Sequence, residues 1–224
     1  MSTRTATGRD SVAVIGVLVV TALYMLAGAL KAWGGGNHEF QFYIVTMALF
    51  IIAVTQIHRY VRLSPGVLWG LSAWGAAHLA GGMVTIPPEW PAEGAPVLYN
   101  WWLIGHGLKF DQMVHAYGFG MVTWTCWQGL RWAIARRWAV APARVRPTAG
   151  LLVLCVAGGM GFGALNEVVE FIATLCVQDT NVGGYSNTGW DLVSNLAGST
   201  LTALLIAAAH RPPSSAQPAS SRPR

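Results

Sequence analysis

The sequence predicts an all-α, polytopic membrane protein: a bundle of six transmembrane helices. Three observations predict it. Hydrophobic residues make up 54% of the 224-residue chain and charged residues only 10%, whereas a soluble domain carries about a quarter charged residues. Apolar stretches recur six times, each close to the ~20 residues that cross a bilayer core. The basic residues gather at alternate ends of these stretches, as the positive-inside rule requires.

The first helix is expected at 11–33. Its apolar run "SVAVIGVLVVTALYMLAGAL" follows Arg4 and Arg9 and ends in small residues, which imitates a signal peptide. An uncharged run of about 20 residues is long for a signal h-region, so it reads as a retained span. The second and third helices are expected at 40–57 and 67–86, the third carrying His78 in "GAAHLAGG". A long Pro- and Trp-rich segment leads to the fourth, at 111–133. The fifth and sixth follow at 149–176 and 188–209. Residues 1–10 and 210–224 are polar and lack an apolar face, which predicts disordered tails on either side of a transmembrane domain over 11–209.

The N-terminus, the second and fourth loops and the C-terminus hold twelve arginines: Arg4, Arg9, Arg59, Arg62, Arg131, Arg136, Arg137, Arg144, Arg146, Arg211, Arg222 and Arg224. The alternate loops hold only Lys31 and Lys109. Both termini are therefore expected in the cytoplasm. The net charge of +5 is spread over helix ends and forms no stripe, so topology accounts for it and nucleic acid is not an expected partner. Cys126, Cys155 and Cys176 have no paired spacing, which excludes a disulfide framework and predicts buried free thiols.

The acids run the other way. Of nine, only Asp10 falls on the cytoplasmic side; Glu39, Glu89, Glu93, Asp111, Glu167, Glu170, Asp179 and Asp191 lie outside or in the outer parts of spans. Acidic residues contribute little to topology, so this skew needs a functional or structural cause. The fifth helix shows it most clearly. Gly159, Gly163, Glu167 and Glu170 step by 4, 4 and 3 and share one face. A small-xxx-small pair allows close backbone approach, so the glutamates belong to the packed face. Insertion is feasible: a central charge costs about 2.5–3.5 kcal/mol and each Leu, Ile, Phe or Val returns about 0.3–0.6. Thirteen such residues lie between 151 and 177.

The fourth helix places Asp111, His115 and Gly118 on one face, and the sixth places Asp191, Asn195, Gly198 and Thr202 on one stripe. At 1.5 Å per residue these groups lie within about 15 Å of the outer boundary, level with Glu167, Glu170 and His78. Intramembrane ionisable groups usually pair, face a cavity and mark function; the competing reading is a hydrogen-bond network that locks packing. For His78 alone the packing role is favoured, and for the set the functional one. Nearby cations do not match four carboxylates, so the acids must share protons or hold a cation. Asp111, His115, Glu167, Glu170 and Asp191 form a candidate ligand set for a divalent ion such as Mg, Mn, Fe or Zn. Glu167, Glu170 and His115 are the candidate acid–base groups, with His78 and Asn195 supporting. The fifth loop opens like a calcium loop at Asp179 and Asn181, but Trp190 stands where the bidentate acid belongs. It reads instead as a glycine-bent lid.

"AHLAGG", "DQMVH", "NEVVEF" and "WDLVSNLAG" resemble the YjdF-like family of uncharacterised bacterial inner-membrane proteins. The order Asp111, His115, Glu167, Asp191, Asn195, Gly198 is also similar, more distantly, to VanZ-like proteins. It departs from them in Gln112, where a lysine is usual, in Glu170, where a glutamine is common, and in lacking an arginine before Asp191. The resemblance implies a bacterial inner-membrane location and no particular activity. Three functions remain open from the residues: a metal-dependent enzyme acting on a lipid-linked or amphiphilic molecule, an assembly protein with a structural polar layer, and a proton-coupled transporter. No feature sets the oligomeric state.

Overall fold

The computed structural model describes residues 8–210; the expected tails, apart from residues 8–10 and His210, lie outside them. Six long helices organise the described residues: α1 (Gly8–Gly34), α2 (His38–Val61), α3 (Pro65–Met83), α4 (Phe110–Arg137), α5 (Ala149–Cys176) and α6 (Tyr185–Ala209). α1 thus begins inside the stretch expected as a tail, because the apolar periodicity is joined to it without a helix breaker. α5 matches its expected limits. α3 ends three residues early: Val84 turns extended, accepts from Leu98 N–H at 3.0 Å, and Ile86 N–H is taken by Pro96 O at 3.0 Å.

α4 is the centre of the bundle, packed against α6 and α5 on one side and α3 on the other, with α1 and α2 beyond α3. By length and composition α1, α2, α5 and α6 are apolar enough to cross a membrane, while α3 and α4 fall short. The reason is position. α1 turns Leu18, Leu23 and Leu30 outward and α5 turns out Leu154, Phe171 and Leu175, all exposed, which suits a lipid solvent and no other. α4 meets other helices nearly all round and carries Gln112, His115 and Thr123 into buried positions.

Small residues set the closest approaches. A Cβ on Gly198 of α6 would stand 1.8 Å from the Ala116 carbonyl oxygen of α4. One on Gly159 of α5 would stand 2.2 Å from Thr123 Oγ1 and 2.5 Å from Ser199 Oγ. Thr123 Oγ1 and Ser199 Oγ both donate to Phe119 O, at 2.8 and 3.3 Å. The three helices therefore meet as nearly bare backbone. At one end the bundle is closed by Trp127, Ala135, Cys155 and Ile206, an apolar plug. All three cysteines are free, but only Cys155 is buried; Cys126 is half-buried and Cys176 exposed at the end of α5. The expectation of three buried thiols is corrected accordingly: the outer faces of these helices are the lipid-facing ones.

At the opposite end, segment 84–109 folds over the bundle. It holds a 3₁₀ turn at Leu98–Asn100 and a small antiparallel hairpin, β1 (Trp102–Ile104) with β2 (Leu108–Lys109). Trp90 and Trp101 stack with centroids 4.3 Å apart.

Candidate functional site

Asp111 lies in the first turn of α4 and His115 one turn on, with Nε2 3.7 Å from Asp111 Oδ1. From α5, Glu167 Oε1 comes within 3.8 Å of His115 Nδ1 and Glu170 Oε1 within 4.0 Å of Nε2. From α6, Asn195 Oδ1 lies 3.1 Å from His115 Nδ1. With Nδ1–H donating to Asn195, the Nε2 lone pair faces Asp111 and Glu170. Ligand atoms of Asp111, His115 and Asp191 all lie within 4.8 Å of one another, and so do those of His115, Glu167 and Glu170. The imidazole is the hub joining the two sets. Gly163 makes room for the Asn195 side chain that orients this ring: a Cβ there would stand 2.6 Å from Asn195 Nδ2.

The cluster has four carboxylates, and among the described residues no lysine or arginine pairs with them. Lys109, the basic residue at the mouth, is engaged elsewhere: its Nζ pairs with Glu93 at 3.1 Å and lies 4.9 Å from the Trp102 ring centroid. Asn187 Nδ2 donates to Asp191 Oδ2 at 2.6 Å and reaches Asp111 Oδ2 at 3.5 Å. Asn166 Nδ2 donates to Glu170 Oε1 at 2.8 Å. Both oxygens of Glu167 and Oδ1 of Asp191 are nevertheless buried without a hydrogen-bond partner. Leaving one buried acceptor unpaired costs about 1–3 kcal/mol, and more when charged. Three such atoms converge from two helices, and beside them Asn195 Nδ2 is a buried donor that also lacks a partner, while the Thr188 and Asn166 side chains lie next to Glu167.

Above the cluster lies a cavity of about 620 Å³, with Asp111 and Glu170 in its lining beside Tyr43, Trp102 and Asn187. His78 lines this cavity but stands apart from the carboxylates. Its ring is enclosed by Phe40, Tyr43 and Tyr99, and Nδ1 accepts from the Tyr99 hydroxyl. Burial, reinforced by Asp111 and Glu170, holds the Tyr99 phenol well above its ordinary value, so it stays a donor.

The sequence reading missed Asn187, Asn166 and Glu39. Asn187 precedes Asp191 by one turn, and starting α6 at Tyr185 instead of 188 puts it on the stripe. Asn166 is one turn before Glu170 in the same "NEVVE", where a neutral amide does not stand out beside two charges. Glu39 Oε2 accepts the Asn181 N–H at 3.0 Å, and Asn181 Oδ1 accepts from Asn100 at 3.1 Å. These bonds pin segment 177–184 across the cavity. The calcium-loop geometry does not form, since the backbone is helical from Tyr185 onward. Glu39→Ala should release this strap. A charge-assisted bond contributes about 2 kcal/mol, so the Asn181 amide should exchange with solvent at least tenfold faster, as read by hydrogen–deuterium exchange; unchanged protection would refute the strap.

Fold and cluster together define an all-helical membrane protein of more than one span, with a polar cluster where three helices meet. The chain belongs to a family described as predicted membrane protein (DUF2238), whose sequence profile matches residues 12–212. No curated protein matches the chain. No solved structure matches it either.

Proposed function

We propose that the protein crosses the bacterial inner membrane six times with both termini in the cytoplasm, as a relative of the YjdF-like proteins. On this reading it holds one divalent cation between α4, α5 and α6. The ligands are His115 Nε2 with carboxylates drawn from Asp111, Glu167, Glu170 and Asp191. The cation faces the outward cavity, where metal-assisted chemistry acts on an amphiphilic molecule. A cation there would polarise a bound oxygen and activate water, while a neighbouring carboxylate would take up the proton.

One observation carries this reading: the buried, unpartnered oxygens of Glu167 and Asp191 flank an imidazole already oriented by Asn195. Oxygen ligands with one nitrogen suit Mn, Fe, Zn or Mg. A transport path finds no support, because below the cluster Trp127, Cys155 and Ile206 are almost fully buried against one another. The second reading is a packing network, favoured by the bonds that Asn195 and Ser199 make from α6 to α4.

Elemental analysis of detergent-purified protein separates the readings. Near-stoichiometric metal is expected in the wild type and none in folded Glu170→Gln. Metal-free wild type with an equally stable variant would overturn the cation site and leave carboxylates that share protons. Metal-free wild type with a collapsed variant would establish the packing network.

A further inference from the structure

Glu170 is reached from two directions. Besides the large cavity, a second of about 220 Å³ lies between α5 and the start of α6, lined by Glu167, Glu170, Phe171, Thr174, Tyr185 and Thr188 among others. Glu170 and residues 182–185 line both cavities. A thin strap of backbone therefore separates the outward route from a sideways one.

The sideways route opens onto the apolar exterior. Phe171 is 61% exposed, Leu175 70% and Tyr185 94%. Val168, Phe171 and Leu175 follow a helical i, i+3, i+7 spacing on the exposed face of α5 that borders the one carrying Glu167 and Thr174. Counting back from the end of α5 at Cys176, Glu170 and Glu167 lie about 9 and 14 Å below the helix end. An acyl chain beside Phe171 and Leu175 would thus bring its own head group to the carboxylates without leaving the bilayer.

The charge pattern selects the head group. α6 starts at this opening, its N-cap is Gly184, and no side chain caps it. Asn187 and Thr188 N–H turn back to Gly184 O, and the N–H groups of Tyr185 and Ser186, with the positive end of the dipole, are left to meet an anion. On the other side stands Glu167, with both oxygens buried and unpartnered, which needs a cation. An anionic oxygen between the two has a dipole on one hand and the proposed metal ion on the other.

We infer that an outer-leaflet lipid bearing a phosphate monoester enters the site laterally between α5 and α6. Its phosphate lies at the α6 N-terminus against the metal ion held by Glu167 and Glu170, and its tails remain in the membrane. This rests on the cation reading above and names the class of molecule the site receives.

The full chain, loaded with Mn²⁺ in phosphatidylcholine nanodiscs, is the test. Dioleoylphosphatidic acid doped into the nanodiscs should raise the unfolding temperature beyond that in phosphatidylcholine alone. Thr174→Trp fills the lateral opening from an exposed position on α5, and it should weaken the phosphatidic acid effect by about tenfold in midpoint concentration, with Mn²⁺ content unchanged. Leu154→Trp, exposed on α5 and outside both cavities, should leave the effect intact and shows that an outward tryptophan on this helix is tolerated. Absence of Mn²⁺ from the wild type would overturn the cation site and this proposal with it. Bound Mn²⁺ with no phosphatidic acid effect, or with an effect undiminished in Thr174→Trp, would overturn lateral entry alone. Equal stabilisation by inorganic phosphate would overturn a lipid as the source of the phosphate.

Discussion

Gly198→Ala is expected to cost about 3 kcal/mol, the upper end of the range for forcing extra carbon into a packed interface. The added Cβ would meet the Ala116 carbonyl oxygen at 1.8 Å, its carbon at 2.5 Å and its Cα at 2.8 Å. All three are backbone atoms of a helix, so no rotamer change relieves them and α4 and α6 must part. The same shift stretches the Asn195–His115 bond, now 3.1 Å, and loosens the imidazole among its carboxylates. Folded yield and thermal unfolding in detergent should both fall sharply. Gly129→Ala is the matched control: nothing lies within 4 Å of a Cβ there, and alanine in a helix interior is favoured by about 0.5–1 kcal/mol. Gly198→Ala unfolding within a few degrees of wild type would refute so close an approach of α4 and α6.

Glu167→Gln is expected to change sign with conditions. In chelator, removing a buried charge with two unpartnered oxygens from a crowd of like charges should stabilise the protein by about 0.5–2 kcal/mol, the size of a common stabilising substitution. With metal at about a hundred times its dissociation constant, the wild type should gain about 2.7 kcal/mol by mass action, and the variant little of that. The two unfolding curves should therefore exchange order between chelator and metal. A variant less stable than wild type in chelator would mean that the Glu167 carboxylate supports the fold itself.

How much of this was legible in the sequence depended on what each residue answers to. Helices that face lipid, such as α1 and α5, announce themselves by composition, because every outward residue must be apolar. α5 was placed at its true limits by that signal alone. The carboxylates were legible for the opposite reason: Glu167 and Glu170 stand out against thirteen apolar neighbours between 151 and 177. Their packed face could be read from the glycine spacing. What could not be read was which neutral side chains would serve them. Asn187 and Asn166 differ from a surface asparagine only in what lies opposite, and that is fixed by how α4, α5 and α6 cross. The strap is the same case. Nothing along the chain joins Glu39 to Asn181, 142 positions away, until the bundle closes.

The central place of α4 has a consequence for how the protein is made. Among the six long helices it is the one least able to reside alone in lipid, since Asp111, Gln112 and His115 open it and Gln128 and Arg131 interrupt its other half. The helices that shelter it on one flank, α5 and α6, are synthesised after it. During biogenesis α4 must therefore wait, held at the insertion machinery or hairpinned against its predecessors. It becomes a settled membrane helix only when α6 arrives and Gly198 closes on Ala116. Assembly of the acidic cluster and completion of the membrane topology would then be one event, so that the site forms only in chains that have finished crossing the bilayer.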